Sequence, residues 1–152
     1  GNFLSHNAEK FDFIHMSHVI EHVPKYSLFY VVDSLYKSLS KGGTLLMRTP
    51  NMEGPAALSS YYVTLTHEYG FCASNLHSLL DLSGFEDISF HELKSPKNFK
   101  QQIGTILRKL LLYLHKVKHR LFGVNQFGIF NAELVVTATR KDKPELFNEK
   151  FK

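Results

Sequence analysis

Five residues, His18-Val19-Ile20-Glu21-His22, have the types and the spacing to do chemistry. Read formally they are His-x-x-Glu-His, the inverted zinc-protease motif, in which two histidines one helical turn apart share a metal and the glutamate serves as base. That chemistry needs a helix through all five residues. Here an apolar run ends at Met16 and Pro24 stands two residues beyond His22, so a regular helix is cramped and no third ligand is placed. The protease is disfavoured, and Glu21 and His22 serve as well to cap and brace a helix after Pro24. Cys72 is the only cysteine. It has no neighbouring base, reads as filler rather than nucleophile, and excludes an intramolecular disulfide; a reducing, cytoplasmic location is the default.

The elements that must position these groups follow from pattern and punctuation. Phe11 to Met16 is a short aromatic-rich run bounded by charge and by Ser17, as expected of a buried strand. From Lys25 to Ser40, Leu28, Val32, Leu35, Tyr36 and Leu39 recur at helical spacing, with Pro24 suited to the first turn and Lys41-Gly42-Gly43 as the stop. Thr44 to Arg48 is the next strand, ended by Thr49-Pro50-Asn51. Met52 to Ala73 reads as a long loop region with one short helix after Pro55. Ser74 is the expected N-cap of a helix that Gly84 stops. Glu86 to Leu93 reads as a strand, Asn98 to Phe122 as a long helix closed by Gly123, and Ala132 to Thr139 as the last strand; the charged tail from Arg140 is expected to fray. Strand, helix, glycine turn, strand, helix, strand is the order of right-handed crossovers, hence a mostly parallel α/β sheet.

The strings FDFIHMSHVIEHVPK, LSKGGTLLMRTPN, THEYGF and LLDLSGF, with the final AELVVTAT, resemble the second half of a class I S-adenosylmethionine-dependent methyltransferase. The resemblance spans roughly residues 9 to 93 and 131 to 140, and is strongest to the bacterial branch that modifies sugars, lipids and quinone precursors. It implies an α/β fold that is the C-terminal half of a Rossmann-like sheet, strand order 4-5-7-6 with the last strand antiparallel, and a helical insertion before that strand. The family's glycine-rich loop should precede all of this, yet the nine glycines include no Gly-x-Gly-x-x-Gly set and no earlier strand ends in an acid for the ribose. The chain opens on Gly1 without an initiator methionine. The expectation is a truncated domain, residues 1–140 with a tail at 141–152, that lacks the first three strands, binds the cofactor weakly and is inactive alone.

The same resemblance assigns roles. Ser17, His18 and Val19 fall at the carboxyl end of a parallel strand, where doubly wound sheets bind ligands, and would line the methionine part of S-adenosylmethionine. Relatives acting on quinone precursors carry Glu-x-x-Glu-His here and hold a divalent metal with it. His18 replaces the first glutamate, so a set of His18, Glu21 and His22 serves magnesium less well and zinc or manganese no worse. Methyl transfer to oxygen needs the acceptor hydroxyl deprotonated as the bond forms, and a histidine suits that task. His22 and His67 are the candidates, His67 because TLTHEYGF is the loop that in the family folds over the active site. His15, His77 and His91 read as structural or exposed.

Charge adds a partner. Between Leu93 and Ala132 there are eight Lys/Arg and no Asp/Glu, so the remaining ten basic residues are outnumbered by all 14 acidic ones. The body of the fold is acidic, which argues against a nucleic-acid partner. Residues 97–122 carry Ile103, Ile106, Leu107, Leu110, Leu111, Leu114, Val117 and Leu121 with Lys100, Arg108, Lys109, Lys116, Lys118 and Arg120. That composition suits either an anionic membrane surface, reached from the cytoplasm, or a lid packed on the sheet. The expected acceptor is a sugar, lipid-linked or small aromatic hydroxyl compound, and the alternative is a non-catalytic interaction module. The exposed edge of the Phe11–Met16 strand predicts a homodimer.

Overall fold

The structure, a computed structural model, describes residues 8–54, 57–91, 101–122, 129 and 131–141, with the side chains of 101–108 and 119 outside the description. The strands are β1 (Phe11–Ser17), β2 (Leu39–Pro50), β3 (Phe85–His91) and β4 (Glu133–Arg140). The helices are α1 (Leu28–Ser38), α2 (Ala57–Tyr62), α3 (Ala73–Leu82) and α4 (Gln101–Phe122). Single 3-10 turns occupy Ile20–His22 and Lys25–Ser27.

The four described strands form one sheet in the order β1-β2-β4-β3. β1 is parallel to β2, and β4 runs antiparallel to both its neighbours. This is the 4-5-7-6 arrangement with an antiparallel last strand. Side chains alternate across it, so Leu45, Met47 and Thr49 of β2 share one face with Ala138, Val136 and Leu134 of β4, and all six are buried. α1 packs on β2 and α3 on β3, closing that face with Val32, Leu35, Leu76 and Leu80. Each such side chain contributes about 1.5–3 kcal/mol by leaving water. The opposite face is thinly covered, and Phe13 on the edge strand β1 is 56% exposed.

Several boundaries differ from expectation for local reasons. β2 begins at Leu39, not Thr44, because Leu39 already pairs with Phe11 and the register shifts between Phe11 and Phe13. Gly42 has φ +77°, and a Cβ on Gly43 would lie 2.8 Å from the Ser40 carbonyl oxygen and 3.1 Å from that of Phe11. Lys41-Gly42-Gly43 is thus a bulge inside the strand, not a stop before it. The N-cap of α3 is Cys72, not Ser74: Asn75 Oδ1 accepts the Cys72 N–H at 2.9 Å, completing a capping box two residues earlier. Residues 92–100, Gly123 and the tail from Asp142 lie outside the described residues, as do the side chains of Lys100, Ile103, Ile106, Leu107 and Arg108.

Candidate functional site

Chain direction puts the site at the carboxyl ends of β1 and β2. Ser17 is level with Arg48, and the next peptide is pinned there by the His18 N–H, which donates to the Arg48 carbonyl at 2.9 Å. His18 then takes φ +51°, which ends the extended conformation, and Val19 stands 46% exposed on the turn. Only Ile20–His22 is helical, as a single 3-10 turn, so His18 and His22 do not share a helix face and the protease geometry does not form.

That short turn nonetheless gathers a site. Glu21 is buried, and its backbone carbonyl accepts N–H bonds from Glu68 at 2.8 Å and Tyr69 at 3.3 Å, stitching the THEYGF loop onto the turn. His67 is thereby carried to His22, with ring centroids 4.8 Å apart. One ring nitrogen of each histidine and a Glu21 carboxylate oxygen all lie within 4.8 Å of one another. His22 Nδ1 is 3.0 Å from the Thr66 carbonyl, and His67 Nδ1 is 3.0 Å from that of Tyr61. A carbonyl only accepts, so both Nδ1 atoms carry hydrogen and each neutral ring keeps its lone pair on Nε2. Two imidazoles with fixed tautomers beside a carboxylate can receive a proton or ligate a cation.

The expected residues divide accordingly. Glu21, His22 and His67 come together, whereas His18 stands outside that trio between two carboxylates, Nδ1 3.2 Å from Glu21 Oε1 and Nε2 3.3 Å from Glu133 Oε1. Glu21 Oε2 also accepts from Thr49 Oγ1 at 3.1 Å. His91 bonds Thr137 Oγ1 on the far edge of the sheet. Between the turn, α2 and the start of β4 lies a cleft of about 430 Å³ whose walls include His18, His22, Val63, His67 and Glu133.

Sequence reasoning missed three contributors. Glu133 is brought opposite Pro50 by the antiparallel β2–β4 register and binds Arg48 through Nε at 2.6 Å and Nη2 at 2.5 Å. The hydrogen bond to Glu133 raises the Arg48 pKa above its ordinary value, so this cation stays charged. Asn51, 1% exposed, donates from Nδ2 to the carbonyls of Asn131 at 2.9 Å and Ile129 at 3.1 Å, and accepts the Glu53 N–H at 2.9 Å. It fastens the loop after β2 to the start of β4. Glu53 is buried behind it, and that burial raises its carboxyl pKa, partly offset by the Ala73 N–H at the start of α3. Nothing in local periodicity marks these residues, since the partners of Glu133 and Asn51 are about 80 positions away and Glu53 is met by the start of α3.

A family model for a methyltransferase domain matches residues 2–90. Among solved structures, the fold is similar to an S-adenosylmethionine-dependent methyltransferase from Archaeoglobus fulgidus at TM-score 0.61 and 17% identity, covering 91% of this chain and 63% of that one. A second from Thermotoga maritima gives TM-score 0.56 at 18% identity, covering 89% and 58%. Human N-acetylserotonin methyltransferase, solved with S-adenosylmethionine, gives 0.57 at 15%, covering 93% and 33%. The chain thus spans less than two thirds of the length of each. No curated protein matches it in sequence.

Proposed function

Because the chain belongs to the S-adenosylmethionine-dependent methyltransferase family, we propose that its cleft holds a hydroxyl acceptor whose oxygen is methylated with His22 or His67 as the proton acceptor. S-adenosylmethionine supplies an electrophilic methyl group when bound. Ser17, His18 and Val19 would line its methionine part, and their exposed turn at a strand's carboxyl end fits that role. The observation that carries the reading is the histidine pair beside buried Glu21, each ring held by its Nδ1–H on a backbone carbonyl. Such a ring offers Nε2 to the hydroxyl proton as the oxygen–carbon bond forms, and Glu21 stabilises the resulting imidazolium through space. Sugar, lipid-linked and small aromatic hydroxyl compounds are the acceptors to try.

The trio supports one further assignment. Two imidazoles and one carboxylate fit a borderline divalent ion such as zinc or manganese better than magnesium. Glu21, His22 and His67 would hold it instead of acting as bases, since each ring has only its Nε2 lone pair to give, and it would supply Lewis acidity toward the acceptor oxygen.

The test is transfer of labelled methyl groups from S-adenosylmethionine to panels of hydroxyl, amine and carbon acceptors, with His22→Ala and His67→Ala beside the parent. Loss of one positioned base is expected to lower turnover by about 10²–10⁴-fold. Methylation confined to nitrogen or carbon, or turnover unchanged in both variants, would refute the assignment.

A further inference from the structure

Among the described residues, α4 carries an apolar stripe that is left exposed. At 100° per residue, Leu110, Leu114, Val117 and Leu121 fall within about 60° of arc. All four are exposed, Leu121 at 78%. On the opposite side Leu112 and His115 are half-buried, and His115 Nε2 lies 2.8 Å from the Glu53 carbonyl oxygen. That bond fixes which side of the helix faces the body, and so fixes the apolar stripe outward. No strand or other helix packs broadly against α4 among the described residues.

The stripe is flanked by charge of one sign. Lys109, Lys116 and Arg120 follow one flank, Lys118 the other, all exposed, and Tyr113 stands between the stripe and the three cations. From Leu93 to Ala132 the chain contains no acidic residue. We propose that α4 docks the protein flat on an anionic lipid surface, with the stripe at the boundary of headgroups and acyl chains and the cations on lipid phosphates. Among the described residues no helix is long and apolar enough to cross a membrane, so the helix lies on the surface. A nucleic acid would satisfy the cations and leave four aliphatic side chains in water. The pairing of a straight aliphatic stripe with an aromatic shoulder and uniformly positive flanks matches a lipid interface instead.

The experiment is co-sedimentation of the chain with vesicles of phosphatidylcholine alone and of phosphatidylcholine mixed with phosphatidylglycerol, at low and high sodium chloride. Binding to the anionic vesicles is expected to be at least about tenfold tighter than to neutral ones and to be released by salt, since each cation near such a surface adds to the attraction. The double variant Leu114→Glu, Leu121→Glu alters only exposed positions and is expected to weaken anionic binding by about tenfold or more. The triple variant Lys109→Gln, Lys116→Gln, Arg120→Gln provides an independent test that leaves the stripe intact, and it should lower only the anionic preference. Equal binding to both vesicles, binding to neither, or unchanged binding in both variants would overturn the proposal. So would a dimer that the double variant dissolves without any vesicle binding, which would seat a second copy on the stripe.

Discussion

If Glu21, His22 and His67 form a cation site, divalent ions must stabilise the fold, and the size of the effect can be worked in advance. The folded chain presents a buried carboxylate and two histidines whose ligating atoms lie within 4.8 Å, whereas the unfolded chain separates His67 from the other two by more than forty residues. An ion that binds only the folded state, at a free concentration 100 times its dissociation constant, adds about 2.7 kcal/mol. For a domain of this size each kcal/mol moves Tm by about 2–4 °C, so the expected rise is about 5–11 °C. Thermal unfolding followed by circular dichroism, with chelator and then with zinc, manganese or magnesium, measures it. Glu21→Gln keeps the side chain's size and one acceptor oxygen for Thr49 or His18, so it is expected to fold while losing most of the shift. His67→Ala should do the same. His77→Ala lies on α3, outside the trio, and should leave the shift intact, which separates the site from adventitious zinc on surface histidines. No shift with any ion, or an equal shift in Glu21→Gln and His67→Ala, would refute a cation site and leave the histidine pair to act as bases alone.

Three other outcomes follow from the geometry. Asn51→Ala strands the carbonyls of Asn131 and Ile129 and the N–H of Glu53, and urea unfolding is expected to show a loss of about 2–4 kcal/mol. Burial raises the Glu53 carboxyl pKa, so the folded state holds that proton more tightly than the unfolded one; stability from this group is full below the ordinary carboxyl range and falls as pH rises through the raised value. Glu53→Gln should therefore gain on the parent between about pH 4 and pH 7, and a difference in urea midpoint that is the same at both ends would refute this. β1 is an edge strand among the described strands, with Phe13 half exposed, and is expected to pair two chains; light scattering across a dilution series should show a dimer that Phe13→Lys weakens by about tenfold, and a monomer throughout would show the edge to be protected.

How much of this was legible in the sequence depends on the distance over which each feature is decided. The β1 run, the helix after Pro24 and the order of the sheet are written in local pattern and in the family's strings, because burial of Leu28, Val32 and Leu35 on one face follows from helical spacing alone. Boundaries governed by a single local feature were not legible: Asn75 draws the cap of α3 back to Cys72, and Gly42 at positive φ lets β2 begin at Leu39 and carry the glycine turn as a bulge. In the site, the His-x-x-Glu-His spacing was visible, but what it does was not, because His18, at φ +51°, is set between Glu21 and Glu133 instead of sharing a helix face with His22. The partner that replaces it, His67, is delivered by backbone bonds to Glu21, groups every residue possesses and no sequence pattern marks. The chemistry of this site therefore depends on main-chain stitching as much as on the side chains that perform it, since the Thr66 and Tyr61 carbonyls decide which nitrogen each histidine offers.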